Sequence, residues 1–278
     1  MNTLRFEQEF VRKQPKYTSI LRYMRDALEV TEVQWSMLTT RNLNLIKGYM
    51  EERMAGNSLV TYMAVLKGFL NLYVEEGIIP CKDLKKTLKA KRVPSDQVVL
   101  SAKEIGRIEM YMPLDNYERR VKAQFLCEYY CLARTSDIRN LTEENITDGR
   151  INYVSQKTST ATSVPLHHNF LRYFKECGEP LDKMTYNRII KRICRKCLIN
   201  ERVKLFYHGE VRTGPKWEFV GSHTARRSGA TELARRGTPL PVISKLMNHG
   251  GNTHTTERYI FIDTRELSAK TMSFFEGK

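Results

Sequence analysis

Between Lys82 and Glu104 the sequence changes character, and that change divides the chain into two folding units. Six basic residues, Lys82, Lys85, Lys86, Lys89, Lys91 and Arg92, crowd eleven positions ahead of Pro94. Proline lacks a backbone N–H and restrains the residue before it, so a helix does not run through this point. A few positions on, Ser101 and Glu104 form an S-x-x-E box behind Val99 and Leu100, the pattern of a helix that starts afresh. We therefore expect a first domain over residues 1–90, a linker over 91–100 and a second domain over 101–278. The 278 residues suffice for two separate cores.

The first hundred residues carry helical spacing and no clear strand. Residues 18–29 and 42–54 suit two helices, and a third opens at Ser58 and ends at Gly77. On that helix Leu59, Met63, Leu66, Leu70 and Tyr73 recur on one face, which requires partner helices to cover it. The second part is mixed. Residues 117–133, 136–141, 184–199, 223–236, 241–248, 255–260 and 264–275 suit helices, with Pro241 in a first-turn position. DGRINYVSQKT and TSVPL suit two strands joined through Ser159 to Ala161, and Gly209 and Gly214 suit a hairpin or ordered loop. The expected fold class is mainly α with a small β-sheet, an α+β chain.

Lys and Arg number 46 against 31 Asp and Glu, a net charge of +15, and both parts share the excess. A hydrophobic fraction of 41% is too high for a disordered basic tail, so a folded partner of polyanions is expected, nucleic acid first. No run of eighteen apolar residues occurs and MNTLRFEQEFVRK lacks a signal-peptide core, so we expect a cytoplasmic protein with no membrane partner. Of the six cysteines only Cys194 and Cys197 form a CxxC. Without a second pair or nearby histidines it favours buried helix thiols over a metal or redox site.

Three segments concentrate groups suited to phosphate chemistry: LARTSDIRNLT, SHTARRSGATELARRG and VISKLMNHGGNTHTTERYI. In this order they resemble the boxes of the tyrosine recombinase (phage integrase) family. The resemblance assigns catalytic positions to Arg134, His223, Arg226, His249 and the nucleophile Tyr259, with Asp137 as a buttress. It also implies a catalytic lysine on a hairpin, matched by Lys157 in YVSQKTSTATSVPL. The amino-terminal helices then resemble the family's SAM-like core-binding domain, with no separate arm-binding domain expected.

These residue types suit the implied reaction. Two guanidiniums stabilise charge that grows on a phosphodiester's nonbridging oxygens, and a tyrosine of ordinary pKa near 10 needs a cationic site or a base, here His223, to attack. The resemblance implies that Lys157 protonates the departing 5′ oxygen and that His249 donates a hydrogen bond to the phosphate. It implies no cofactor and no metal, and the chain carries neither a G-x-x-x-x-G-K-[ST] loop nor an H-E-x-x-H pair. The implied partners are double-stranded recombination sites and further copies of the chain: a dimer per site, a four-subunit synapse, and an accessory DNA-bending or directionality factor.

Arg188, Lys191, Arg192, Arg195 and Lys196 on helix 184–199 are candidate DNA contacts, and the resemblance puts that helix in the major groove. Lys89, Lys91 and Arg92 fit either a solvated connector or a strap along the phosphates. Leu267, Met272, Phe274 and Phe275 would lie on a terminal helix packed at home or passed to a neighbour. Three features depart from the family pattern. Ten positions separate His249 from Tyr259, with Gly250 and Gly251 to absorb the extra residue; Asn248 stands where glycine is usual; and HGEVRTGPKWEF is an elaboration. Two other readings stay open: relaxation of supercoils in the manner of type IB topoisomerases, and a noncatalytic DNA-binding protein.

Overall fold

The computed structural model describes residues 5–93, 95–207, 210–262 and 272. The chain forms two compact units, residues 1–96 with 205–212, and residues 97–204 with 213–278.

The first unit holds α1 (Phe6–Lys13), α2 (Ser19–Leu28), α3 (Thr40–Arg53), α4 (Gly56–Asn71) and the short α5 (Leu84–Thr87). The face expected on α4 is its buried face, with Leu59, Met63, Leu66 and Leu70 in the core beside Phe69. Phe69 organises that core: its ring centre lies 5.0 Å from Phe10, 5.8 Å from Phe6, 5.2 Å from Tyr73 and 6.0 Å from a stacked Trp35. Two of these elements were not legible. The helix α1 is too short for a periodicity argument, and α5 lies inside the polybasic run. There Leu84 and Leu88 are buried while Lys82, Lys85, Lys86 and Lys89 stay exposed, so the basic run is an amphipathic edge of the core.

The second unit begins at α6 (Ala102–Met110), where both halves of the Ser101–Glu104 capping box are made. It continues through α7 (Asn116–Cys131), α8 (Thr135–Ile138), β1 (Ile146–Thr147), β2 (Arg150–Val154), β3 (Ala161–Pro165), α9 (Phe170–Glu176) and α10 (Lys183–Lys196). Next along the chain come β4 (Arg202–Tyr207) and β5 (Glu210–Pro215), of which residues 205–212 group with the first unit, and then α11 (Thr224–Arg235), α12 (Leu240–Leu246) and α13 (Thr253–Glu257) in the second. The helix α7 is the axis, with ten residues buried, and α9, α10 and α11 pack around it. The three-stranded sheet is antiparallel in the order β1-β2-β3, with Tyr153 opposite Thr162. Architecture and elements make the chain α+β, as its sequence pattern indicates. One detail corrects that pattern: the strand β2 ends at Val154, so Lys157 sits in the β2–β3 turn and not on a strand. The segment before α11 holds the paired strands β4 and β5, as the hairpin reading expected. The expected helix 264–275 lies outside the described residues except for the exposed Met272.

Candidate active site

Four segments of the second unit meet at the end of α7. Leu132 takes φ 54°, a left-handed conformation that costs a branched residue about 1–2 kcal/mol, and its side chain is held there by Ala230, Ile243 and Met247. The reversal ends α7 and starts Arg134 in extended backbone. Close approach of α11 completes the corner. A Cβ on Gly229 would stand 2.5 Å from the Tyr129 carbonyl oxygen and 2.6 Å from Leu132 Cδ2, so glycine is required.

Arg226, on the first turn of α11, is 1% exposed. Its Nη1 donates to Leu132 O at 2.6 Å, and its Nη2 donates to Met247 O and lies 3.2 Å from His249 Nε2. Burial, then the charge of Arg134, lowers its pKa to about 10, which leaves it cationic at neutral pH. Arg134 donates to Ser155 Oγ at 2.9 Å and pairs with Asp137 at 3.7 Å. The buried Asp137 accepts from Ser155 Oγ at 3.1 Å and from the Gln156 N–H at 3.2 Å. It thus ties the turn that carries Lys157 to the arginine.

A helix ending places His249. The N–H of Asn248 donates to Lys245 O and that of His249 to Ser244 O, a Schellman closure of α12 with Asn248 at φ 55°. This is why a glycine suits position 248 and why asparagine, which tolerates the left-handed region, replaces it. His249 Nδ1 lies 2.9 Å from Thr256 Oγ1, whose own proton goes to Asn252 O at 3.2 Å. Nδ1 is therefore the donor, and Nε2 accepts from Arg226. Gly250 and Gly251, at φ 58° and 79°, carry the chain to α13 and Tyr259. The Tyr259 ring is 5.1 Å from that of His249, with the Arg226 and Arg227 guanidiniums at 5.6 and 5.3 Å from its centre. Thr231 Oγ1 fixes the segment, donating to Tyr259 O and accepting from the Phe261 N–H.

His223 precedes α11, held by Asn187 through the Ser222 N–H and by the Thr135 hydroxyl on Ser222 O. Although His223 keeps an exposed edge, the protein atoms crowded around its ring displace water from the cation, and this desolvation, then the charges of Arg227, Lys183, Arg226 and Lys157, lowers its pKa to about 4. Burial, then Arg226, Arg134 and Lys157, does the same to His249. Both imidazoles are neutral at pH 7.

The result is one open cavity of about 380 Å³, lined by Arg134, Arg139, Lys157, Lys183, His223 and Tyr259 together with Thr135, Ser136, Tyr186 and Ser222. Its lining carries no carboxylate among the described residues. Five of the expected positions, Arg134, Lys157, His223, Arg226 and Tyr259, converge here or directly behind, and His249 joins them through Arg226. Arg139 and Lys183 were given no role in the sequence pattern. Lys183 opens α10 behind the N-cap Asp182, and only the fold brings it to the cavity.

The expected DNA-contact residues behave differently from one another. Arg192 pairs with Glu118 at 2.7 Å and Asp115 at 2.8 Å, and Lys196 with Glu118 at 2.9 Å. Burial favours neutral Glu118, but the Leu114 N–H, the Tyr111 hydroxyl and Lys196 outweigh it and hold its pKa to about 2. Arg195 lies over Trp217 at 5.6 Å. These three support the fold of their own unit. Arg188 and Lys191 have no ion-pair partner among the described residues, and Lys89, Lys91 and Arg92 are exposed. Cys194 and Cys197 are free, buried thiols. No helix among the described residues is long and apolar enough to cross a membrane.

The family model "Phage integrase family" matches residues 99–266. No curated protein sequence matches the chain. Among solved structures, the lambda integrase (75–356) dimer bound to a COC′ core site is similar at 18% identity, covering 92% of this chain and 90% of that one, with a TM-score of 0.65. The Tn1549 transposon integrase in complex with transposon right end DNA is similar at 12% identity, 98% and 99% coverage and TM-score 0.67. A lambda integrase tetramer bound to a Holliday junction is similar at 16% identity, 86% and 71% coverage and TM-score 0.58.

Proposed function

This chain belongs to the phage integrase family, and on that premise we propose that it cuts and rejoins DNA strands at specific sites through a covalent 3′-phosphotyrosine. The observation that carries the reading is the carboxylate-free cationic cavity with Tyr259 on its wall and Arg226 directly behind. Such a wall attracts a phosphodiester and favours the pentacoordinate state, whose oxygens bear more charge than the ground state.

The Tyr259 hydroxyl attacks the scissile phosphorus, its proton passing to neutral His223, and the bond to the 5′ oxygen breaks. Lys157, on the turn pinned by Asp137, gives that oxygen its proton. Arg134 and Arg226 hold the nonbridging oxygens. In the DNA-free state the Nε2 of His249 accepts from Arg226, so donation from Nε2 to the phosphate requires that this nitrogen gain a proton. Attack by a 5′ hydroxyl on the phosphotyrosine reverses each step, and the energy of the first bond is retained in the second, with no cofactor consumed. The partners are duplex recombination sites and further copies of this chain. Lambda integrase on its DNA as a dimer and as a tetramer supports a dimer per site and a four-subunit synapse.

Covalent trapping tests this. Wild type and Tyr259→Phe are incubated, without metal, with nicked duplexes from the DNA flanking the gene and run on a denaturing gel. A slow-migrating adduct formed by wild type alone is expected, with duplex affinity equal in both proteins. An adduct that survives Tyr259→Phe sinks the assignment. With supercoiled circles carrying the same flanks, relaxation without exchanged flanks points to topoisomerase-like action, and intact DNA-dependent activity in Tyr259→Phe to a noncatalytic protein.

A further inference from the structure

Behind the cavity lies a second polar cluster that the proposed chemistry does not use. Glu128, near the end of α7, is 0% exposed. Its Oε1 accepts from Gln124 Nε2 at 3.0 Å, while Oε2 has no hydrogen-bond partner among the described residues. Arg139 Nε, Arg226 Nε and the Tyr186 hydroxyl are likewise buried and unpaired. Arg226 on α11 reaches this end of α7 directly, its Nη1 donating to the carbonyl of Leu132 one helical turn beyond Glu128, and the charges of Arg139, at the end of α8, and of Arg226 both favour the ionised carboxyl group. So do Tyr186 on α10 and the thiols Cys127 and Cys131 on α7 itself. The Thr135 hydroxyl sits beside the carboxyl group and bridges the Arg134 corner to Ser222. Glu128 is thus the one carboxyl group of the described residues buried behind Arg226 and outside the cavity-side pair of Arg134 with Asp137.

We propose that Glu128 is a positioning residue for the anion site: protonated, it lets Arg226 present its full charge to the cavity, and ionised, it draws that charge inward. The proposal rests on the reading that the cavity receives the scissile phosphate. A neutral carboxyl group has an O–H to give and a carbonyl to accept with, which suits a site with a single amide donor. An ionised one competes with the phosphate for the same guanidinium, because the interior screens poorly. Burial pushes its pKa up to about 8, against the pull of the Gln124 amide, the Thr135 hydroxyl, Arg139 and Arg226. The change of state then falls just above neutral pH, whereas the thiols and Tyr186 are pushed up by burial and stay neutral there.

The test is the single-turnover rate of adduct formation on a nicked duplex from pH 6 to 9.5, for wild type and the near-isosteric Glu128→Gln. Every other pH-dependent contribution is common to both proteins, so the ratio of their rates isolates Glu128. The ratio of Glu128→Gln to wild type is expected to rise by about three- to ten-fold across pH 8, the scale of one screened charge near the phosphate. A ratio constant with pH overturns the proposal. If Glu128→Gln does not fold, carbon-13 NMR of the wild-type glutamate carboxyl groups decides: one titrating near pH 8 supports it, and all titrating below pH 6 overturn it. Sulfate, a dianion throughout this range, separates failure of this proposal from failure of the phosphotyrosine reading. Should wild type form no adduct, sulfate affinity that falls above pH 8 in wild type but not in Glu128→Gln keeps the proposal. Equal profiles remove it.

Discussion

In the first unit Glu9 is the one buried side chain of charged type among the described residues, whereas the second unit buries Glu104, Glu118, Lys122, Glu128, Asp137 and Arg226. Glu9 is satisfied locally, by Arg12 at 2.7 Å and the Tyr73 hydroxyl at 2.6 Å, at the edge of a core of packed rings. In the second unit, Arg226 and Glu128 are only partly satisfied, with Nε and Oε2 unpaired. A buried, incompletely paired cation such as Arg226 opposes folding, and under the proposed function it is offset when it meets the scissile phosphate. The first unit pairs its one buried charged group, and the second leaves part of its buried polar interior unpaired, the part that the proposed function would use.

The largest expected effect comes from removing that cation. Arg226→Met should lower adduct formation by about 10²–10³-fold, the scale of one lost transition-state donor. Its thermal stability should change by no more than about 1 kcal/mol, because the loss of bonds to Leu132 O and Met247 O is offset by removal of a buried cation beside Arg134. In the first unit the pattern inverts. Phe69→Ala should cost about 3–5 kcal/mol of stability, since it opens a cavity among the rings of Phe6, Phe10, Trp35 and Tyr73, and should leave single-turnover cleavage at saturating DNA unchanged. A large stability loss in Arg226→Met, or a cleavage defect in folded Phe69→Ala, would break the contrast.

Between these lies Gly229→Ala, which pushes α11 off the Tyr129 carbonyl and shifts Arg226 with it. Overpacking of this kind costs about 1–3 kcal/mol. Here stability and cleavage should fall together, as urea titration and the trapping assay would read.

Smaller, and readable without DNA, is the dependence of each unit on pH. Glu128 has its folded pKa raised to about 8, so its folded state binds more protons than the unfolded chain between about pH 4.5 and 8, and stability falls as pH rises through that window. His223 and His249 have folded pKa values lowered to about 4, so their contribution is lost as pH falls from 6.5 toward 4. Two histidines gain with rising pH until about 6.5 while one glutamate loses, so together they make the second unit most stable at about pH 6.5. Glu9, lowered by Arg12 and Tyr73, contributes fully above its unfolded value, so the first unit should be flat from pH 5 to 8.5. The two tryptophans, Trp35 and Trp217, fall one in each unit. Fluorescence of Trp35→Phe and Trp217→Phe variants therefore reports each unit separately, and parallel curves would remove the distinction.

Much of this was legible because it rests on local chemistry. The Ser101–Glu104 box, the α4 stripe and the proline at the start of α12 each act within one or two turns, and sequence spacing records them. The order of Arg134, His223, Arg226, His249 and Tyr259 was legible through family resemblance alone, since no local rule links residues 125 positions apart. What escaped was long-range or too short to show a period. Arg139 and Lys183 reach the cavity only through the packing of α10 on α7, and Leu132 gives no sign in a sequence that it turns left-handed. Glu128 reads as one charge on a helix until the fold closes over it. The pairing of Arg192 and Lys196 on α10 with Glu118 was not legible either, because that carboxyl group lies on α7 and only packing brings it there.

The smallest effect concerns Asn248, where two preferences oppose each other. Its left-handed backbone favours glycine by a few tenths to about 1 kcal/mol, and Asn248→Gly gains that. The same change removes the contacts of its side chain, which accepts from Thr158 Oγ1 at 3.3 Å and donates to Thr160 O at 3.2 Å. Both partners lie on the turn that carries Lys157, so asparagine couples the end of α12 to the proposed proton donor, a link glycine lacks. Stability of Asn248→Gly should stay within about 0.5 kcal/mol of wild type, because one gain offsets two long hydrogen bonds. Cleavage should slow by a few fold, and a substrate with a 5′-phosphorothiolate leaving group, which needs no proton, should erase the difference. If that substrate is slowed equally, Asn248 acts on His249 through the Schellman closure and not on Lys157 through the turn.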